Sequence, residues 1–454
     1  MTVNISTADG MFKTVFGKYE DLTPKFALLT KRFPFQPSKR IGKDYQITVR
    51  VKRGHGVTFR SGNDSYDAFT LNAPVTGQTK PANVSGSICV IREQMGHKST
   101  MAALKDGTQA FADLYGETVA DTHNTLSFYQ EACLLYGQTS FGALDADGSN
   151  NATQTLVLTA ASSAPGLWAQ MEGAKVDIWN SGYTTQRNGS NDITVNWIDY
   201  DQATGKVSIS VTGDATELDS AVATDVIVPK GFYDSVDGHQ TLAGLDKITT
   251  NSGTLFGIDA SSYKVWAGQS YGIGSAELSF SKLTKGTILI STRAGLSSEP
   301  CEAYISPMTW TDLNNNTAAL RRLTRNEGSV EIGAQAITYY GVTGAVKIQP
   351  HPMVKGGEAF CGMADYVERG GVTDITFQYS ESVQEGQPSR FLRELESQAG
   401  FEFRGMWDNF LLIRKPRNSN PACDSSSRRK RDGWPSCTLS LYWNVMSVTP
   451  PRST

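Results

Sequence analysis

Between residues 43 and 137 a stretch with a two-residue period is followed at once by one with a helical period, and that pairing limits what the chain can become. In the run KDYQITVRVKRGHGVTF, Ile47, Val49 and Val51 fall on one face and Thr48, Arg50 and Lys52 on the other, the alternation of a half-covered strand. A second β-like run, Ser85–Arg92, follows a loop containing Gly62, Asn63, Asp64, Gly77 and Pro81. Two such arms joined by turn chemistry predict a long hairpin. Neither arm is apolar enough to make a core of its own, so the hairpin has to lie on something else.

The helical stretch is predicted from Thr108 to Tyr136. Phe111, Tyr115, Val119, Thr122, Leu126, Tyr129, Cys133 and Tyr136 recur at three- and four-residue steps, which places them on one stripe of an amphipathic helix. Gly137 is a natural stop. At roughly 28 residues the helix would be about 42 Å long, well beyond the usual three turns. Such a rod suits a flat subunit built along one helical backbone, although a long core helix would show the same period.

The chain's 454 residues allow two or three domains around a substantial core. Its formal net charge of -3 provides no global field for a nucleic acid or a membrane. Charge is uneven locally, however. From Lys31 to Arg60 the basic residues are Lys31, Arg32, Lys39, Arg40, Lys43, Arg50, Lys52, Arg53 and Arg60, against one acid, Asp44. That bias fits either a surface meeting acidic neighbours or a solvated strand face. No basic helix with interleaved aromatics accompanies it, so base-specific recognition is not expected. Cys89, Cys133, Cys301, Cys361, Cys423 and Cys437 have neither zinc nor CxxC spacing, so buried thiols in a reducing cytoplasm are expected. No signal peptide and no run of about 18 apolar residues is visible, which argues against a membrane span.

Beyond the polar link at 138–152, short strand-like runs occur at Thr155–Ala160, Lys175–Trp179, Ile193–Asp199, Lys206–Val211 and Asp225–Val228. With the turn DYDQATGK they suggest a small barrel or sandwich over 153–230. From 231 to 335 helices and strands mix. Thr241–Thr249 reads as a short helix, ELSFSKLTKGTILIS as a weaker helix or a strand, and Pro307 as the first residue of a polar helix. Strands Ala336–Tyr340 and Ala345–Gln349 flank GVTG, and residues 336–415 read as late return strands. The final segment, 416–454, has no period, a basic cluster at Arg428–Arg431 and the composition of a disordered tail, apart from the apolar patch WPSCTLSLYWNV.

Catalytic patterns are weak. GQSYG matches a nucleophile elbow at Ser270, with Asp312 and His351 following in hydrolase order. The elbow requires a helix directly after the serine, and GIGSAE does not start one. The five histidines lack metal-ligand spacing and no phosphate-binding GxxxxGK[ST] loop occurs. Neither catalytic residues, cofactor-binding residues nor metal ligands are assigned, and no cofactor is expected.

The order of parts resembles the major capsid protein of tailed bacteriophages, the Hong Kong 97-like fold. The residues carrying the resemblance are KDYQITVRVKRGHGVTF, TQAFADLYGETVADTHNTLSFYQEACLLYG, LAGLDKITTNSGTLFGID, AYISPMTWTDLNN and YYGVTGAVKIQPHPMVKGGEAF, within residues 10 to 415. The resemblance implies an α+β fold with an N-terminal arm (1–42), an extended β-hairpin loop (43–92), a peripheral domain with a long spine helix (93–152), the inserted β-module (153–230), an axial domain (231–335) and return strands of the peripheral and axial domains (336–415). It further implies a homo-oligomer of hexamers and pentamers, forming an icosahedral shell around double-stranded DNA that is enclosed without sequence-specific binding. Implied partners are a portal protein and separate scaffolding or decoration proteins, with assembly in the host cytoplasm and residence in the virion. Arg50, Lys52, Arg53 and Arg60 are the expected inter-subunit contacts. An encapsulin-like compartment shares this fold. A tail-tube or adhesin protein would suit the Gly/Ser/Thr-rich β content but normally lacks so long a helix.

Overall fold

Helix Leu114–Tyr136 packs on a five-stranded sheet. The strand order is Thr2–Val3, Ser87–Gly96, Gly400–Ile413, Val367–Gln378 and Phe35–Pro37. The three long central strands are antiparallel, and the two short edge strands run parallel to their neighbours. The computed structural model describes residues 2–3, 27–37, 45–59, 70–96, 114–189, 191–274, 278–294, 301–315, 337–341, 344–362, 366–378, 400–413 and 445–447. The first six residues of the expected helix, 108–113, lie outside that set.

The helix is not the one-sided rod its period suggests. Residues 130–136 are buried on every side, because the sheet, the short helix Leu28–Arg32 and the helix Leu245–Thr249 all pack around its last two turns. A helix enclosed in this way needs apolar residues all round, and ACLLY supplies them. Its stop at Gly137 has a steric cause. The Gly137 amide donates to the Cys133 carbonyl at 2.8 Å, and a Cβ here would run into the Leu242 carbonyl. The left-handed residue that turns the chain is the next one, Gln138, at φ 62°.

A second sheet takes six strands from Gly142 to Pro229, in the order Gly142–Ala143, Val226–Pro229, Lys175–Trp179, Ile193–Asp201, Lys206–Thr212, Thr153–Val157. Its two outer strands also meet. Leu144 bridges Leu158, the Asp145 amide donates to the Val157 carbonyl at 2.8 Å, and the Thr159 amide donates to the Ala143 carbonyl at 2.9 Å. The sheet thus closes on itself, a small barrel filled by Leu156, Val176, Ile178, Val195, Val207, Ile209 and Ile227. It begins earlier than the expected boundary at 153, since Gly142–Ala143 is one of its staves. A two-residue strand has too little alternation to be seen in sequence.

The third sheet has the order Gln269–Ser270, Val445–Ser447, Ala359–Gly362, Cys301–Ile305, Gly344–Pro350, Ile337–Gly341. Cys301–Ile305 runs parallel to Gly344–Pro350 and antiparallel to Ala359–Gly362. The return strands of 336–415 are shared between two sheets: Ile337–Gly341, Gly344–Pro350 and Ala359–Gly362 lie in this one, and Val367–Gln378 and Gly400–Ile413 in the five-stranded sheet. One expectation is corrected here. The segment 416–454 is not wholly without structure: Val445–Ser447 pairs on both sides, with Ala359–Gly362 and with Gln269–Ser270. That strand begins at Val445, the last residue of the apolar patch; residues 414–444 lie outside the described set.

Phe280–Ala294 is the helix of the ambiguous run, packed on Ala359–Gly362. Pro307 opens helix Pro307–Asn315 as expected, and the Ser306 hydroxyl accepts from the Thr309 amide at 3.2 Å to cap it. The architecture is mixed α+β. No helix among the described residues is long and apolar enough to cross a membrane.

Candidate assembly surface

The hairpin is a ribbon of two strands, Tyr45–Lys52 and Gln78–Val84, antiparallel and paired with no other sheet. The return arm is therefore not Ser85–Arg92, which belongs to the strand Ser87–Gly96 of the five-stranded sheet. Gln78–Val84 escaped notice because QTKPANV does not alternate and contains Pro81. In a two-stranded ribbon each strand is an edge, so a proline without an N–H is tolerated opposite Thr48.

The two halves of this ribbon differ in what covers them. In the basal half Tyr45, Val49, Val51, Ala82 and Val84 are buried against the chain's own body. The Tyr45 ring lies 4.5 Å from that of Phe410. The Asn83 amide donates to the Phe256 carbonyl at 2.9 Å, and the Tyr263 hydroxyl donates to Gln78 Oε1 at 3.2 Å. Past Lys52 and Gln78 this cover ends. A bridge between His55 and Val75, with N···O distances of 2.9 and 2.8 Å, and the Asn72 bonds to Thr58 Oγ1 and the Val57 carbonyl at 2.9 and 2.8 Å keep the two arms together. Their side chains stand in solvent: Phe59 is 92 % exposed, Leu71 69 %, Val57 61 % and Val75 57 %. Scattered exposed apolar residues are ordinary, but four on one ribbon make it the candidate contact surface.

Arg50 and Lys52 occupy the exposed face that the alternation predicts, and Arg53 follows them, also exposed. Among the described residues no acid pairs with Arg50 or Arg53. Lys52 has a partner within its own chain, its ammonium lying 5.6 Å from the centre of the Tyr263 ring. Arg60 lies outside the described residues.

Sequence reasoning missed the polar clamp that holds residues 27–37 beside the hairpin's root. Glu131, in the buried turns of the long helix, accepts from the Leu29 amide at 2.6 Å, the Thr30 amide at 2.8 Å and the Thr30 hydroxyl at 2.6 Å. It thereby caps the helix Leu28–Arg32 from outside. Its remaining partner is His351 Nε2 at 3.0 Å. His351 Nδ1 accepts from the Met353 amide at 3.1 Å, which places the ring hydrogen on Nε2, pointing at the carboxylate. Burial raises the Glu131 pKa, but the bonds from His351, Thr30 and Leu29 outweigh it and hold the carboxyl below its usual range. Further along, the buried Arg369 donates to the Phe33 carbonyl at 2.9 Å and, in a fork, to Asp374 at 2.8 and 3.0 Å. A glutamate within the most apolar turn of the helix was the available signal, since a charge buried there has to be paired.

That pairing also removes His351 from the hydrolase pattern. Ser270 sits in a two-residue strand, Gln269–Ser270, and the next helix begins only at Phe280, so no strand–serine–helix elbow forms. Cys301 and Cys361, far apart in sequence, meet on neighbouring strands, and their mutual hydrogen bond together with burial raises the Cys361 thiol well above its ordinary value.

No family model matches the chain, and no curated protein does. Solved structures similar to it include phage capsids and the capsid of a GTA particle. The cyanophage A-1(L) capsid asymmetric unit aligns over 90 % of this chain and 96 % of its own, at 11 % identity and a TM-score of 0.48. The capsid of cyanophage P-SCSP1u aligns over 98 % and 95 % at 10 % identity and a TM-score of 0.41, and a structure from Mycobacterium phage Bobi over 99 % and 99 % at 8 % identity and a TM-score of 0.44. At these identities no residue role passes from them to this chain.

Proposed function

We propose that this chain is a structural shell subunit, a phage major capsid protein, that self-assembles into hexamers and pentamers of an icosahedral shell enclosing double-stranded DNA. The observation that supports the reading is the ribbon of residues 45–84. Its root is sealed to the chain's own body, and its distal half holds Val57, Phe59, Leu71 and Val75 in solvent. A fixed arm with a bare apolar end is complete only when another molecule covers it. A contact between two different patches, repeated from copy to copy, closes into rings.

Arg50, Lys52, Arg53 and Arg60 are the proposed charged contacts to the adjacent copy. With a net charge of -3, the DNA is enclosed rather than bound by sequence, and a portal with separate scaffolding or decoration proteins would complete a virion assembled in the host cytoplasm. The test is negative-stain imaging of the purified protein with light scattering. Closed shells or hexameric and pentameric rings are expected. A stable monomer at high concentration, with residues 53–59 and 70–77 protected from hydrogen exchange, would refute the proposal.

A further inference from the structure

Residues 233–239 form a rigid turn with an unusual apex. Tyr233–Asp234 pairs with Gly238–His239, and Asp234 Oδ1 accepts from the amides of Val236 at 2.7 Å and Asp237 at 3.1 Å. Gly238 takes φ 75°, a left-handed conformation that suits glycine. The base is held by rings. Tyr233 lies 4.9 Å from Trp179, 4.8 Å from Tyr183 and 4.8 Å from His239, and the Tyr183 hydroxyl donates to the Thr139 carbonyl at 3.0 Å. On this support Val236 is 88 % exposed, with the carboxylates of Asp234 and Asp237 on either side of it in sequence. A valine held out by a pre-ordered turn loses little conformational entropy on docking.

Elsewhere the chain has a cleft of about 630 Å³ between the helix Leu28–Arg32 and the parallel strands Cys301–Ile305 and Gly344–Pro350. That is room for several side chains. Leu28 and Pro352 supply apolar lining, and Lys31, Arg32 and Lys347 supply positive charge. Arg32 is spent on Glu302, at 2.8 Å. Lys31 and Lys347 are exposed and meet no acid among the described residues. No residue of the 233–239 turn lines this cleft. Leu28 and Pro352 beside two unpaired ammonium groups, with Glu302 already neutralised by Arg32, complement an exposed valine that has an aspartate on each side of it in sequence.

We infer that the Val236 turn of one copy seats in the Lys31–Lys347 cleft of the next. The inference rests on the proposed self-assembly and adds a second contact, separate from the hairpin. Knob and socket are different patches, so the contact is head-to-tail, the kind that builds rings. The charges fix register and suppress wrong docking more than they add affinity.

The test uses assembled full-length protein from an equal mixture of light and heavy-isotope copies, treated with a zero-length carbodiimide that joins lysine to carboxylate. Mixed-isotope peptides joining Lys31 or Lys347 to Asp234 or Asp237 are expected. Lys347→Asp alone and Asp237→Lys alone should each lower particle yield about tenfold, like charges then facing each other, and the two together should restore it. Val236→Ser, which leaves the turn's hydrogen bonds in place, should lower yield without altering the circular dichroism of the subunit. Cross-links from the cleft lysines to Glu20 or Asp21 of the same copy would mean the chain's own N-terminal segment fills the cleft, and would overturn the inference. So would full yield from either charge-reversed single variant. In both cases the wild-type particles still stand, whereas wild-type protein that never assembles would overturn the shell reading itself.

Discussion

Replacing Phe59 by serine removes the most exposed large apolar side chain among the described residues of the hairpin, 92 % of it in solvent in the single chain. Nothing in the subunit packs on it, so subunit stability should change by less than about 0.5 kcal/mol, as for an ordinary surface substitution. Assembly is another matter. Full burial of a phenylalanine against a neighbour contributes about 2–3 kcal/mol, and about 1.4 kcal/mol is a tenfold change in an association constant. If each copy inserts one hairpin, the concentration at which particles first form should rise roughly 30- to 150-fold. Light scattering across a dilution series of wild type and Phe59→Ser, with urea unfolding run in parallel, separates the two quantities. The reasoning fails if the threshold concentrations coincide, or if the variant loses subunit stability in proportion to its loss of assembly.

Other expectations follow from the clamp, the helix stop and the basic face. Glu131 has a folded-state pKa below its ordinary 4.5, so below that value the unfolded chain takes up a proton the folded one refuses. Its contribution to stability is present above about pH 4.5 and declines as pH falls further; Glu131→Gln should flatten that part of a stability–pH curve. Glu131→Ala, which strands a buried ring N–H and two backbone amides, should destabilise by about 3–5 kcal/mol in chemical denaturation. Gly137→Ala forces a methyl group against the Leu242 carbonyl and should lower stability by about 1–3 kcal/mol, visible as a lower Tm. Reversing Arg50 and Lys52 together to glutamate should reduce assembly yield while leaving the subunit folded; unchanged yield by sedimentation would remove them from the interface.

The parts legible in sequence are those whose burial is one-sided and regular. Val49 and Val51 alternate with Arg50 and Lys52, and the strand they form has that face inward. Pro307 opens its helix because its fixed φ suits a first turn. Period alone failed where cover comes from several directions. The long helix shows a stripe in sequence but is enclosed at its C-terminal end, because three elements distant in the chain converge there. Proline and short length hid the return arm Gln78–Val84 and the stave Gly142–Ala143. Of the candidate surface, the basic face could be read directly. The bare apolar distal half could not, since which valines lose their cover depends on where Phe256, Tyr263 and Phe410 stop. The Glu131–His351 pair links residues 220 positions apart, beyond the reach of any local pattern.

The three-residue strand Val445–Ser447 makes Ala359–Gly362 an interior strand. A chain cut short anywhere ahead of Val445 would leave one flank of that strand, with the thiol of Cys361 on it, unzipped and open to any passing β-edge. Translation must therefore run almost to residue 447 before this sheet can be sealed, so incomplete products should clump.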